Sequence, residues 1–112
     1  MKLFHIVDRK DWAAHVVDGF YSPPSLAKEG FIHFSTEEQV EPTANLYFKG
    51  KRDLLLLEIT LPASDPNLKF EAAAGPGNRE GSFPHYYSKL SLSFVTAIFQ
   101  IDADAETRKI LK

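Results

Sequence analysis

The distribution of apolar residues divides the chain into short segments with strand or helix periodicity. Leu3 to Val7 and Phe31 to Phe34 are rich in residues that favour strands. Asp53 to Leu61 is the most apolar segment, and its continuous apolar start predicts a central strand that is covered on both faces. Leu68 to Ala72 and Ser93 to Ile101 predict two further strands.

Helical periodicity appears between these strands. Arg9 to Val17 carries apolar residues on one stripe, and Val40 to Phe48 does the same, so each segment predicts an amphipathic helix. A hydroxyl of Ser35 or Thr36 is expected to cap the second helix. Ser25 to Gly30 predicts a single helical turn that the glycine ends.

The order of these elements indicates a fold class. Helices come early and strands come late, which favours an α+β fold over a regular parallel array of strand–helix–strand units. Residues 1–112 contain no repeat and no linker, so we expect one domain, closed by a short helix or tail from Asp104 to Lys112.

Composition and charge exclude several classes of function. A net charge of −2 without a Lys/Arg block argues against general nucleic-acid binding. There is no cysteine, which excludes disulfides, thiolate catalysis and cysteine-based zinc sites. The longest apolar run, Leu54 to Leu57, is too short to cross a bilayer, and the first residues lack a signal-peptide core. We therefore expect a soluble cytoplasmic protein.

Three of the four histidines lie in apolar or aromatic segments. His5 lies in the first strand, His33 lies in the second, and His85 lies in Phe83 to Tyr87, which we interpret as an aromatic loop. Imidazoles that come together usually bind ligands or carry out chemistry, because each can donate, accept or ligate near neutral pH. The alternatives are hydrogen-bonded structural histidines and, for His85, an aromatic plug at a sheet edge. His15 is expected to lie on the surface.

The two-residue period of a strand places His5 and His33 in equivalent positions. Apolar neighbours on both sides of each histidine point away from it and can pack on the helix that follows. These neighbours are Phe4, Ile6, Ile32 and Phe34. Both histidines are thereby predicted to face one cleft, which the strand acids Glu58 and Glu71 can also reach.

Other chemistries find less support in the residue spacing. No HxH or HExxH pattern is present, so no metal site is expected. The hydroxyls of Ser35 and Thr36 are explained by helix capping, and no G-x-S-x-G elbow surrounds them. The glycine-rich loop from Gly75 to Gly81 lacks the ending of a P-loop.

Two segments, EGFIHFST (Glu29 to Thr36) and FPHYY (Phe83 to Tyr87), together with Phe4-His5-Ile6 and Trp12, resemble a small bacterial family. That family is catalogued as domain of unknown function 952, and the resemblance extends from about residue 2 to about residue 100. It implies an ADP-ribosyltransferase-like fold. Such a fold is a split, strongly bent β-sheet, here with two short helices packed on it, and it holds a nicotinamide nucleotide between its halves.

Within that fold, His5, Gly30, His33 and Ser35 match a pattern found in RNA 2′-phosphotransferases. By this resemblance, His5 contacts a ribose or carboxamide of the nucleotide, and His33 lies beside the pyrophosphate or second ribose. The chain differs from those enzymes in two ways. Ile6-Val7 follows His5 where they have a Gly-Thr pair, and the arginines that hold an RNA phosphate are missing. RNA phosphate transfer is therefore not expected.

The first hypothesis is an enzyme that transfers or hydrolyses at the nicotinamide ribose of NAD or a related nucleotide. Its candidate catalytic residues are His33, His5 and Glu71. Its candidate ligand-binding residues are His5, His33, Ser35, Thr36, His85, Tyr86 and Tyr87. The alternatives are a non-catalytic nucleotide-binding module and a structural or partner-binding domain. The oligomeric state stays open, and a monomer is compatible with the sequence.

Overall fold

The protein has a mixed α+β fold. The computed structural model describes residues 1–72 and 81–101, which contain nine strands and three helices. The strands are β1 (Lys2–Asp8), β2 (Val16–Val17), β3 (Phe20–Tyr21), β4 (Ile32–His33), β5 (Leu54–Thr60), β6 (Leu68–Ala72), β7 (Ser82–Tyr86), β8 (Leu90–Ser91) and β9 (Val95–Ile101). The helices are α1 (Arg9–His15), α2 (Pro24–Glu29) and α3 (Val40–Tyr47), the last preceded by a 3-10 turn (Glu37–Gln39).

The strands form three antiparallel sheets, in the orders β1-β5-β9, β2-β3-β8 and β4-β7-β6. The predicted central position of the most apolar strand is confirmed, since β5 bonds to β1 on one edge and to β9 on the other. The four leucines of β5 are almost completely buried because both faces of this sheet are covered.

The first and third sheets meet at one backbone bridge between Phe4 and Ser35. The Phe4 N–H donates to the Ser35 carbonyl at 2.8 Å, and the Ser35 N–H donates to the Phe4 carbonyl at 2.7 Å. Through this bridge, β1 fixes the position of the segment that follows β4.

The two faces of β1 and β5 contact different hydrophobic cores. On one face, Phe4 and Ile6 pack with Ala44 of α3. On the other face, the leucine and valine of β1 pack with Ile32 of β4 and with Phe34, which directly follows this strand. Burial of each side chain of this size stabilises the fold by about 1.5–3 kcal/mol. Side chains that alternate between the two faces of β1 therefore help to hold both hydrophobic cores against the first sheet.

Two expectations about secondary structure are wrong. The first helix ends at His15 instead of Val17, because Val16 and Val17 pair with β3 as strand β2. The FPHYY segment is not a loop, because Phe83 to Tyr86 lie in β7, the middle strand of the third sheet. Proline is rare in a middle strand because it has no N–H, which made this segment resemble a loop.

Two predicted segments lie outside the described residues. These are the glycine-rich loop, apart from Gly81, and the terminal helix or tail. Within residues 1–72 and 81–101, no helix is both long enough and apolar enough to cross a membrane.

Candidate functional site

Strands β4 and β7 bring two of the three histidines together. His33 pairs directly with His85, and their ring centroids are 5.5 Å apart with the planes at 73°. The preceding residue pair in the register, Ile32 and Tyr86, points into the core. Because successive strand residues alternate, both histidine rings lie on the opposite, outer face of the third sheet.

Each of these histidines is held by a carboxylate. His33 Nε2 lies 2.9 Å from Glu29 Oε1, and His85 Nδ1 lies 2.9 Å from Glu71 Oε1. The Tyr87 hydroxyl also donates to Glu71 Oε1. Together with Phe31, these side chains form a connected group of six. We call this group the outer-face cluster: Glu29, Phe31, His33, Glu71, His85 and Tyr87.

Hydrogen bonding keeps Glu71 ionised and places a proton on Nδ1 of His85. Donation from Tyr87, and then from His85, holds the pKa of Glu71 below its usual range, so Glu71 is a carboxylate at neutral pH. The hydrogen bond between Tyr87 and Glu71 also raises the pKa of the Tyr87 phenol. An ionised carboxylate only accepts hydrogen bonds, so His85 Nδ1 carries a proton and donates it. Nε2 of His85 has no partner among the described residues.

Phe31 is the aromatic centre of the cluster. Its ring stacks on His85 at 4.0 Å, with an interplanar angle of 22°. The ring centroids of His33 and Tyr87 lie 4.8 Å and 5.3 Å from it. Phe31 and His85 are almost fully buried, whereas the side chain of His33 is 41% exposed. A ligand can therefore approach from the side of His33, Glu71 and Tyr87.

The end of α2 positions the first half of the cluster. Gly30 ends the helix at φ 91°, a left-handed conformation that glycine adopts without strain, and its N–H donates to the Leu26 carbonyl at 3.0 Å. The Ser25 hydroxyl donates to the Phe31 carbonyl at 3.0 Å. This turn leaves Glu29 on the helix end, within reach of His33 on the strand that follows.

His5 lies on the face of β1 that points into the protein, whereas His33 lies on the outer face of the third sheet. The prediction that His5 and His33 face one cleft is therefore wrong. Helix α3 covers the Phe4 face of β1, as expected, but Ile32 and Phe34 pack against the opposite face, where His5 lies. The His5 and Phe34 ring centroids are 5.9 Å apart. His5 therefore contacts β4 from inside the protein.

Both ring nitrogens of His5 have partners. Nδ1 donates to the His33 carbonyl at 2.7 Å, which requires the proton on Nδ1 because a carbonyl only accepts. Burial lowers the pKa of His5 to about 4, so the ring is neutral and Nε2 accepts from the Tyr21 hydroxyl at 2.8 Å. His5 thus links β1, β3 and β4, and it supports the backbone of His33.

This burial predicts an acid-sensitive stability. The folded-state pKa of about 4 lies below the ordinary histidine pKa of 6.5, so the unfolded chain binds more protons between these two pH values. The contribution of His5 to the free energy of unfolding is complete above pH 6.5. It declines as the pH falls to 4, by at most about 3 kcal/mol. Urea unfolding across this range should show a shallower pH dependence for His5→Gln. Equal slopes for the two proteins would contradict the assignment.

The remaining predicted residues lie away from the outer-face cluster. Ser35 is buried, and its hydroxyl donates to Thr43 at 3.4 Å. The Thr36 N–H donates to Gln39 Oε1 at 3.0 Å, as expected for a helix cap. Tyr86 is buried in the inner core, where its hydroxyl donates to Asp65 Oδ2 at 3.1 Å. Of the two tyrosines, Tyr87 is the one that reaches the cluster.

Sequence reasoning missed two members of the cluster, Glu29 and Phe31. Phe31 lies two residues before His33, so the two-residue strand period already placed both side chains on the same face. Glu29 carried no comparable signal, because its contact depends on the turn at Gly30. Among residues 1–72 and 81–101, no group of three or more His, Asp or Glu side chains is arranged to hold a metal ion.

Comparison with solved structures identifies three structures of one similar protein. The crystal structure of protein CC0527 from Caulobacter crescentus matches with a TM-score of 0.80 and 32% identity, covering 97% of this chain and 94% of that chain. A double methionine variant of the same protein gives the same values. Its solution NMR structure matches with a TM-score of 0.77 and 32% identity, covering 96% and 90% of the two chains. No curated protein matches this chain.

A family model covers most of the sequence. It is described as a protein of unknown function, DUF952, and it matches residues 6–98. This range includes α2, β4, β6 and β7, and it contains all six residues of the outer-face cluster. The chain therefore belongs to the DUF952 family, in agreement with the resemblance in its EGFIHFST and FPHYY segments.

Proposed function

We propose that the outer-face cluster binds a nicotinamide nucleotide such as NAD and promotes transfer or hydrolysis at its nicotinamide ribose. The observation that carries the proposal is the pairing of His33 with His85 across β4 and β7, each held by its own carboxylate. Aromatic rings beside the pair offer a stacking surface for a planar ligand.

The Glu71–His85 pair has the arrangement of a general base and its orienting carboxylate. Glu71 accepts the Nδ1 proton of His85, which fixes the ring and leaves Nε2 to take a proton. In the proposed reaction, the bond between the ribose C1′ and nicotinamide breaks, and nicotinamide leaves with the electron pair. A water or acceptor hydroxyl attacks C1′ and gives its proton to His85 Nε2. The negative charge of Glu71 stabilises the oxocarbenium-like carbon.

The arrangement of the sheets supports the ADP-ribosyltransferase-like part of the proposal. Two three-stranded sheets joined at the bridge between Phe4 and Ser35 are compatible with a split, bent sheet. His5 then has a positioning role, because it holds the backbone carbonyl of His33 and has no free ring nitrogen for a ligand.

Calorimetric titration with NAD, ADP-ribose and AMP tests this proposal. The wild type should bind at least one of them saturably, and His33→Ala should bind it roughly tenfold more weakly, the cost of one hydrogen bond in the site. His15→Ala is the matched control, because His15 bonds to the Asp11 carbonyl of its own helix and lies outside the cluster. Absence of saturable binding to all three nucleotides would overturn the proposal. Binding without release of nicotinamide would identify a non-catalytic binding module.

A further inference from the structure

We propose that the protein forms a two-fold symmetric dimer through strand β9, which pairs in the antiparallel direction with β9 of a second copy. The two β1-β5-β9 sheets then form one six-stranded sheet across the dimer. This surface is separate from the outer-face cluster, since none of the six residues of the cluster lies in β9.

Strand β9 is an outer strand of the first sheet. It pairs with β5 along one edge, and no strand within residues 1–72 and 81–101 pairs with its other edge. Half of the backbone N–H and C=O groups of such a strand point away from its neighbour, where they can bond to a further strand. At seven residues, β9 is long enough for this, because strands of about five or six residues are typical of sheets.

The other long edge strands of the described residues carry charges that oppose such pairing. Strand β6 has Lys69 and Glu71 within its five residues, and β1 has charged residues at both ends and a bridge to Ser35. Charged side chains on an edge commonly prevent pairing between molecules. Strand β9, with the sequence VTAIFQI, has no charged residue and no proline. Its edge therefore accepts a partner strand more readily than the other edges do.

The sequence of β9 is complementary to itself in the antiparallel direction. Its order of apolar and polar residues is the same from either end, with Ile98 at the centre. A pair centred on Ile98 places Thr96 opposite Gln100 of the partner subunit, and every apolar residue lies opposite an apolar one. A pair centred on Phe99 would instead place Ile98 opposite Gln100. Because opposite side chains contact each other directly, the pattern favours a second copy centred on Ile98.

The pairing also buries apolar side chains on both faces of the sheet. Ile98 is 47% exposed, and in the dimer it packs against Ile98 of the partner subunit. Ala97 and Phe99 lie on the opposite face, in the core that α3 covers, so this core extends across the two-fold axis. The Thr96 hydroxyl donates to Glu58 Oε2 at 2.9 Å, so it already has a hydrogen-bond partner within its own chain.

Sedimentation velocity of the full chain tests the dimer. We expect a dimer for the wild type and a monomer for Ile98→Lys, because this substitution places two like charges opposite each other at the two-fold axis. Val17→Lys is the matched control, since Val17 is an exposed apolar residue of the short strand β2. It should leave the dimer intact, and thermal unfolding checks that both variants are folded. A wild type that is monomeric up to about 1 mM, or a dimeric Ile98→Lys, would overturn the proposal.

Amide hydrogen exchange of the wild type tests whether β9 forms the interface. In the monomer, alternate β9 amides point away from β5 and exchange rapidly. Dimerisation should slow the exchange of these amides roughly tenfold or more, and dilution should reverse the effect. A dimer whose β9 amides exchange as fast as those of the dilute protein, or a monomer in which every β9 amide is protected, would contradict the pairing.

A single introduced cysteine tests the register. The chain has no cysteine of its own, so a short bismaleimide can react only at the introduced thiol. In the proposed pair, the two Cβ atoms at position 98 lie about 4.5–5.5 Å apart, so Ile98→Cys should be linked into a covalent dimer. Val17→Cys should stay unlinked under the same conditions. A dimeric Ile98→Cys that is not linked would show that the copies do not meet at the centre of β9.

Discussion

Replacing His5 with alanine is expected to lower the free energy of unfolding by about 3–5 kcal/mol. The substitution leaves the Tyr21 hydroxyl and the His33 carbonyl without their partner in the interior, at about 1–3 kcal/mol each, and it opens a cavity beside Phe34. Urea unfolding followed by circular dichroism measures the change. His15→Ala, on the surface of α1, should change stability by less than about 1 kcal/mol.

Conservative variants separate the two hydrogen bonds of His5. His5→Asn retains a donor near the position of Nδ1, and Tyr21→Phe removes the donor to Nε2, so each single variant loses one bond. Once the Tyr21 hydroxyl is gone, His5→Asn should cost less than it does in the wild type, with a coupling energy of about 1 kcal/mol. A His5→Ala protein as stable as the wild type would show that His5 does not link the three strands.

The sequence predicted the mixed α+β class, the central strand β5 and the strand–helix unit that contains His33. These elements have strong local signals: a continuous apolar run in β5, and a strand followed by capping residues at Thr36. The partners of each strand could not be predicted in the same way. Pairing of β7 with β4 joins segments far apart in sequence, and Pro84 weakened the local strand signal.

The sequence identified most residues of the candidate site, but it did not predict how they are arranged. His33, His85, Glu71 and Tyr87 were all candidates, and they do contact one another. The error concerned His5, because periodicity gives the two faces of a strand but not which face is buried. Both faces of β1 are covered, so the phase of His5 alone could not distinguish a ligand-facing histidine from an internal one.

The internal position of His5 also changes what its substitution reports. His5 contacts the cluster through the His33 backbone, so a loss of ligand binding in His5→Ala measures disturbance of β4 as well as any direct contact. Variants of Glu71 are more informative about chemistry. Glu71 lies on the exposed outer face, and its bonds to His85 and Tyr87 stay within the cluster.

Replacing Glu71 with glutamine is therefore expected to lower the rate of nicotinamide release from NAD about 100-fold, with little effect on folding. Glutamine keeps the size of the side chain but removes the charge that orients His85 and that, in the proposed reaction, stabilises the positive ribose carbon. The measurement is kcat for the proposed NAD hydrolysis in the variant and in the wild type, with thermal unfolding as the test of integrity. Glu58→Gln is the matched control, since Glu58 is a strand acid on β5 that pairs with Lys2. If Glu71→Gln and Glu58→Gln retain the same kcat, the carboxylate does not act on the reaction, and the Glu71–His85 pair would only hold β6 against β7.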